Sequence, residues 1–121
     1  MNDLEQLTYQ INGAVFEVNQ VLGAGYLEKV YENALVHEMI SRGLSVERQV
    51  PIKVAYKGTN VGDYLADIVV EKKVILELKA VDSILKVHEA QLLNYLKATG
   101  YRIGLLINFT YPKAEIKRFI L

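Results

Sequence analysis

Apolar residues recur at helical spacing at Leu4, Leu7, Ile11, Ala14, Val15, Val18 and Leu22, which predicts an amphipathic helix from Leu4 to Val21. Gly23-Ala24-Gly25 breaks it. Leu27, Val30, Tyr31, Ala34 and Leu35 form the seam of a second helix, which Gly43 closes from the position just past its end. The period then changes to two. Val50, Ile52, Val54 and Tyr56 alternate with polar or small residues, a strand signal. Lys57-Gly58-Thr59-Asn60 turns into a second strand over Val61–Val70, and Glu71-Lys72-Lys73 connects that strand to a third over Val74–Ala80. Asp82 or Ser83 can cap a helix from about Leu85 to Ala98, which Gly100 ends. Arg102–Phe109 reads as a buried strand. After Tyr111-Pro112, Ala114–Leu121 reads as a last strand, although Ile116, Phe119 and Ile120 also suit a helix. The order α-α-β-β-β-α-β-β implies an α/β fold with a mixed sheet. The hairpins are antiparallel, and the strand-helix-strand passage is a right-handed crossover that makes one parallel pair.

Charges interrupt this pattern in one place. Glu77 and Lys79 break the run from Val74 to Ala80, where core-strand positions rarely take a charge without a partner or a task. Residues two apart on a strand share a face, so Glu77 and Lys79 point the same way. If Glu71-Lys72-Lys73 is a three-residue loop, Val70 pairs with Val74 and Asp67 falls opposite Glu77. Opposed Cβ atoms lie roughly 4.5–5.5 Å apart. A register one residue off would send Asp67 to the other face. Two adjacent carboxylates raise each other's pKa unless a cation intervenes. Hard oxygen ligands suit Mg²⁺ or Mn²⁺, and a neighbouring lysine suits metal-assisted phosphodiester hydrolysis. The same spacing also fits an ion pair on the solvated face of a hairpin, which contributes little.

Composition narrows the setting. The chain has 121 residues, enough for one domain over 1–121 with a real core. No run of about 18 apolar residues predicts a membrane span. The N-terminus, from Met1 to Glu5, lacks a basic region and an apolar signal core. There is no cysteine, which excludes disulfides and thiolate metal sites and is compatible with a reducing, cytoplasmic setting. Lys plus Arg and Asp plus Glu both number 14, so the net charge is zero. That counts against tight non-specific DNA binding by a free monomer but leaves room for a locally positive groove. No P-loop, dinucleotide fingerprint or nucleophile elbow is present, and two distant histidines make a poor zinc site.

Asp67 followed by Glu77-x-Lys79 on the next strand resembles the signature of the PD-(D/E)XK nuclease superfamily, with Ala66 where that signature has proline. Gly25-x-x-Glu28-x-x-Tyr31, followed by Glu32-Asn33-Ala34-Leu35 and Arg42-Gly43-Leu44, resembles the GxxExxY group of small proteins in that superfamily. The resemblance spans about residues 8–120. It implies a restriction-endonuclease-like αβββαβ core with an extra N-terminal helix and C-terminal strand. It also implies a metal-dependent nuclease acting on nucleic acid, with DNA as the expected substrate. Asp67, Glu77 and Lys79 would be its core site. Glu28 would complete the metal ligands Asp67 and Glu77, with Glu38 as a rival acid on the same helix.

Gln91-x-x-x-Tyr95 resembles the Q-x-x-x-Y motif of RecB-like branches, which implies that Gln91 orders the site and Tyr95 lies near it. Tyr31 is expected in the core with its hydroxyl on a carboxylate, Asp63 on the strand face of Asp67, and His88 against phosphate or in proton transfer. Glu32 is expected to face solvent. A non-catalytic nucleic-acid- or protein-binding module with the same fold is the alternative. A nuclease that works only as a homodimer or inside a larger complex is another.

Overall fold

The computed structural model describes residues 2–121. Its elements are helices α1 (Asp3–Leu22) and α2 (Glu28–Ser41), strands β1 (Val46–Tyr56), β2 (Thr59–Val70) and β3 (Val74–Lys79), helix α3 (Lys86–Thr99), and strands β4 (Ile103–Asn108) and β5 (Glu115–Ile120). The strands form one sheet in sequence order. Every neighbouring pair is antiparallel except β3 and β4, which the α3 crossover makes parallel. This mixed α+β architecture is the restriction-endonuclease-like arrangement the sequence implied, with the added first helix and last strand. Among the described residues no helix is long and apolar enough to cross a membrane.

Local chemistry sets the elements. Asn2 caps α1 through its side chain, which accepts the Glu5 amide at 2.8 Å, and Glu5 reaches back to the Asn2 amide. The predicted α1 seam is the buried one. At α3 the cap differs from expectation. Leu85, not Asp82 or Ser83, holds the N-cap position, and His88 Nδ1 accepts the Leu85 N–H at 3.1 Å in place of an oxygen cap. β1 begins at Val46, four residues before the predicted Val50. Lys57 and Gly58 take left-handed φ values of 50° and 82° at the turn, where glycine is the natural residue.

Two cores lie on the two faces of the sheet. α1 and α2 cover one face, packing Ile11, Val15, Tyr31 and Leu35 with Ile68, Leu76, Leu105 and Ile107. α3 covers the other, packing Leu92 and Leu96 with Ala66, Val69, Ile75 and Leu106. α3 sits close to the backbone of β4: a Cβ on Gly104 would come within 2.8 Å of Leu92 Cδ1.

The predicted α2 seam is only partly correct. Tyr31 and Leu35 are buried, but Leu27 is 80% exposed and Val30 is also exposed, while Glu32, Val36 and Met39 are buried. Apolar residues lie on several sides of α2, so periodicity alone left the packed face open. The contact with α1 and the sheet selects it.

The β1–β2 hairpin changes face partway along. Val46 packs in the α1/α2 core, whereas Val50 and Ile52 pack in the α3 core. Opposite them, Ile68 and Val70 belong to the first core and Ala66 to the second. Strict alternation would keep each set on one side. The shift occurs at Gln49, whose φ is 50°, between the pairs Arg48↔Ile68 and Val50↔Ala66. Asp67 lies across from that irregularity. Beyond it the hairpin runs on as a two-stranded arm, because β3 pairs with β2 only over Ile68–Val70.

Candidate active site

The loop Glu71-Lys72-Lys73 sets the expected register, Val70↔Val74, Val69↔Ile75 and Ile68↔Leu76. The ladder then stops, one step before Asp67 and Glu77 would pair by backbone. Side chains take over instead. The Asp67 amide donates to Glu77 Oε2 at 2.8 Å, and the Leu78 amide donates to Asp67 Oδ2 at 2.8 Å. The expected face-to-face pair is therefore an interlocked one, each carboxylate replacing a carbonyl that the parting strands no longer supply. The face shift at Gln49 and Asp67 accounts for this, since it turns Asp67 out of ordinary alternation.

Burial and mutual repulsion dominate the electrostatics. Glu77 is only 6% exposed. Its carboxyl is pushed up to about 8, by burial first and then by the Asp67 carboxylate; the Asp67 amide and Lys79 oppose the rise. Asp67 is raised by burial, against the pull of the Leu78 amide. Glu28, the first residue of α2, stands at the rim. It is raised by partial burial and then by Asp67, and Lys79 again works the other way. Lys79 is thus the one cation acting on all three acids, and it forms no direct ion pair with them among the described residues.

This donor set fits a hard divalent cation. Each of the paired carboxylates engages a backbone amide through one oxygen, and once both are ionised they carry more negative charge than Lys79 offsets. Among the described residues no three Asp, Glu, His or Cys side chains are gathered tightly enough to cage an ion alone. Mg²⁺ in particular is held by one or two carboxylates, with water and substrate oxygens filling its remaining positions.

The surroundings correct several expectations. Glu32 does not face solvent: it is 4% exposed. It accepts from Lys29 at 2.9 Å, from Arg48 at 3.0 Å and from Gln49 at 2.9 Å. Glu32, Val36 and Met39 recur as i, i+4 and i+7, and packing against α1 and the sheet selects that face for burial. The Tyr31 hydroxyl meets no carboxylate. It donates to the Gly23 carbonyl at 2.5 Å and accepts the Tyr26 amide at 3.2 Å, while its ring stacks on Phe109 at 4.4 Å. Tyr31 thereby braces the loop before Glu28, in which Gly25 takes a φ of 113° open to glycine. Asp63 lies away from Asp67, on the exposed arm opposite Lys53, where it accepts Asn60 Nδ2 at 3.2 Å. The face shift at Asp67 defeats the count of two residues that grouped them. Glu38 pairs with Arg42 at 2.8 Å along the helix surface.

On α3, Gln91 Nε2 donates to the Tyr95 hydroxyl at 2.9 Å. Tyr95 is buried in the α3-side core with Ala66 and Ile75, and its phenol is raised by burial and then by the Glu77 carboxylate. His88 sits at the start of α3 with Nδ1 engaged by the Leu85 amide, in a groove wall rather than against the acids.

A sequence profile described as PD-(D/E)XK nuclease superfamily matches residues 5–119. No curated protein matches the chain. Among solved structures, the crystal structure of SSO0001 is similar, with a TM-score of 0.60 and 20% identity, over 76% of this chain and 48% of that one. The chain thus spans about half the length of that protein. The crystal structure of an alkaline exonuclease, LHK-Exo from Laribacter hongkongensis, is similar with a TM-score of 0.50 and 12% identity, over 90% of this chain and 68% of that one.

Proposed function

The chain belongs to the PD-(D/E)XK nuclease superfamily, and from that premise we propose that it is a metal-dependent nuclease whose core site is Asp67, Glu77 and Lys79. The observation that carries the reading is the interlocked acid pair, buried, mutually repelling and offset by one lysine. Asp67 and Glu77 would hold Mg²⁺ or Mn²⁺, with Glu28 as the further ligand. When bound, such an ion supplies Lewis acidity at a phosphoryl oxygen and lowers the pKa of an attacking water. The backbone amides of Asp67 and Leu78 fix the two carboxylates before substrate arrives, so little reorganisation is left for the reaction. Lys79, on the face of Glu77, orients the water and offsets charge that develops on the phosphodiester. Gln91 holds the Tyr95 hydroxyl and with it the packing beside Glu77.

We place the chain in the GxxExxY group. Gly25 supplies the loop conformation, Tyr31 braces that loop, and Glu28 follows it as the first residue of α2. We take DNA as the substrate and the cytoplasm as the setting, and a homodimer or larger complex remains compatible with the site. The finding that no three ligands gather unaided favours a second reading, a non-catalytic module that keeps the fold. A panel of labelled DNA and RNA substrates, with Mg²⁺, with Mn²⁺ and with EDTA, tests the choice. The nuclease reading predicts cleavage by wild type that EDTA, Asp67→Asn and Lys79→Ala each abolish. Cleavage that persists in Asp67→Asn overturns the assignment.

A further inference from the structure

Beside the acid pair, the free arm of the β1–β2 hairpin and α3 enclose a groove of ≈ 820 Å³. That volume is in the range that holds one small ligand or a short length of a single strand, about 300–1,000 Å³. Lys53 and Tyr64 line it from the arm, and His88, Gln91, Tyr95 and Lys97 from α3. Among the described residues its lining contains no carboxylate; Asp63, the cross-strand partner of Lys53, is not one of the lining residues. Tyr64 is 48% exposed, and its ring centroid lies 5.7 Å from that of Tyr95. The strand backbone makes room for this ring, since a Cβ on Gly62 would come within 3.3 Å of Tyr64 Cε2. Tyr95 packs in the α3-side core with Ala66, next to Asp67 on β2, and with Ile75, two residues before Glu77 on the same face of β3, so the groove ends near the acids.

We propose that this groove binds a single strand of nucleic acid, one base stacked on Tyr64 and the flanking phosphates met by Lys53 and Lys97, so that the backbone is led to Asp67 and Glu77. The proposal rests on the nuclease reading and adds strandedness to it. An exposed aromatic ring beside lysines is the equipment of single-strand binding, because a base offers its flat face only when it is not stacked in a duplex. A duplex keeps its base faces stacked on one another and shows only edges in its grooves, so it offers no face for the Tyr64 ring. The lysines give the groove a local source of salt-dependent affinity in a chain whose net charge is zero.

Fluorescence anisotropy in EDTA tests this without cleavage, using labelled oligo-dT, oligo-rU and a blunt duplex. Wild type is compared with Tyr64→Ala, Tyr64→Phe, Tyr64→Leu and Lys53→Ala/Lys97→Ala, each checked for an unchanged circular dichroism melt. The single strands should bind about tenfold or more tighter than the duplex, and Tyr64→Ala should weaken them roughly ten- to hundredfold. Tyr64→Leu keeps an apolar side chain but no stacking face and should behave like Tyr64→Ala, whereas Tyr64→Phe should behave like wild type. The lysine pair should flatten the salt dependence. Equal binding of duplex and single strand, or wild-type binding by Tyr64→Ala and Tyr64→Leu, overturns the proposal. If wild type cleaves but its binding ignores Tyr64, the nuclease reading stands and the groove assignment falls. If single strands bind through Tyr64 and nothing is cleaved, the groove assignment stands and the nuclease reading falls.

Discussion

Glu32 and Glu77 are the same residue type at nearly the same burial, 4% and 6% exposed, yet their surroundings are opposite. Glu32 is saturated: Lys29, Arg48 and Gln49 all donate to it. Glu77 has one backbone amide and a second carboxylate beside it, with Lys79 acting on it but not ion-paired to it, and its carboxyl is pushed up to about 8. Burial therefore does not separate a structural acid from a reactive one; the partner set does. A buried acid with its charge matched holds two elements together, here α2 and β1. A buried acid beside another acid is a place where a cation would be gained at little expense of structure.

The comparison is broken most sharply by activity. Glu77→Gln should lower metal-dependent cleavage about a thousandfold or more, because it removes a ligand whose ion acts on the transition state. Glu32→Gln, which keeps the shape and part of the hydrogen bonding, should stay within about tenfold of wild type. Equal losses in initial-rate assays would erase the distinction.

Stability should run the other way. Glu32→Ala leaves Arg48, Lys29 and Gln49 without their shared acceptor. It should cost about 2 kcal/mol in urea unfolding, a figure kept modest because both cations are partly exposed. Glu77→Gln relieves repulsion and should leave the metal-free protein at least as stable as wild type. A loss as large as that of Glu32→Ala would show that the acid pair is structural.

A smaller and graded effect follows from pH. The folded chain holds a proton on Glu77 that the unfolded chain releases near 4.5. Stability of the metal-free protein should therefore fall as pH rises from about 4.5 to about 8, and level off above. Asp67, also raised, adds to the same slope. Thermal melts in EDTA across that window should show the decline, and Glu77→Gln should flatten most of it. A Tm that rises with pH there would contradict the assigned strain.

Much of the site could be read along the chain. The three-residue connector set the Val70↔Val74 register, and the charges of Glu77 and Lys79 stood out against an apolar strand. Other features had no one-dimensional signal. Gln49 takes a left-handed conformation without being glycine, so the face change of the hairpin was hidden, and with it the separation of Asp63 from Asp67. The partners of Tyr31 are backbone groups of a nearby loop, which composition does not announce. Glu32 was misread because α2 carries apolar residues on several sides, and only packing shows which side is covered. The groove depends on an arm that outruns its neighbour β3, a matter of strand lengths in three dimensions.

The most direct test of the central claim is titration calorimetry of Mn²⁺ near neutral pH, in buffers of different ionisation enthalpy. If Asp67 and Glu77 are a strained pair awaiting a cation, wild type and Glu32→Gln should both bind and release close to one proton, because Glu77 must ionise to act as a ligand. Asp67→Asn/Glu77→Gln should neither bind nor release a proton. Absence of binding by wild type, or binding by the double variant equal to wild type, would contradict the account.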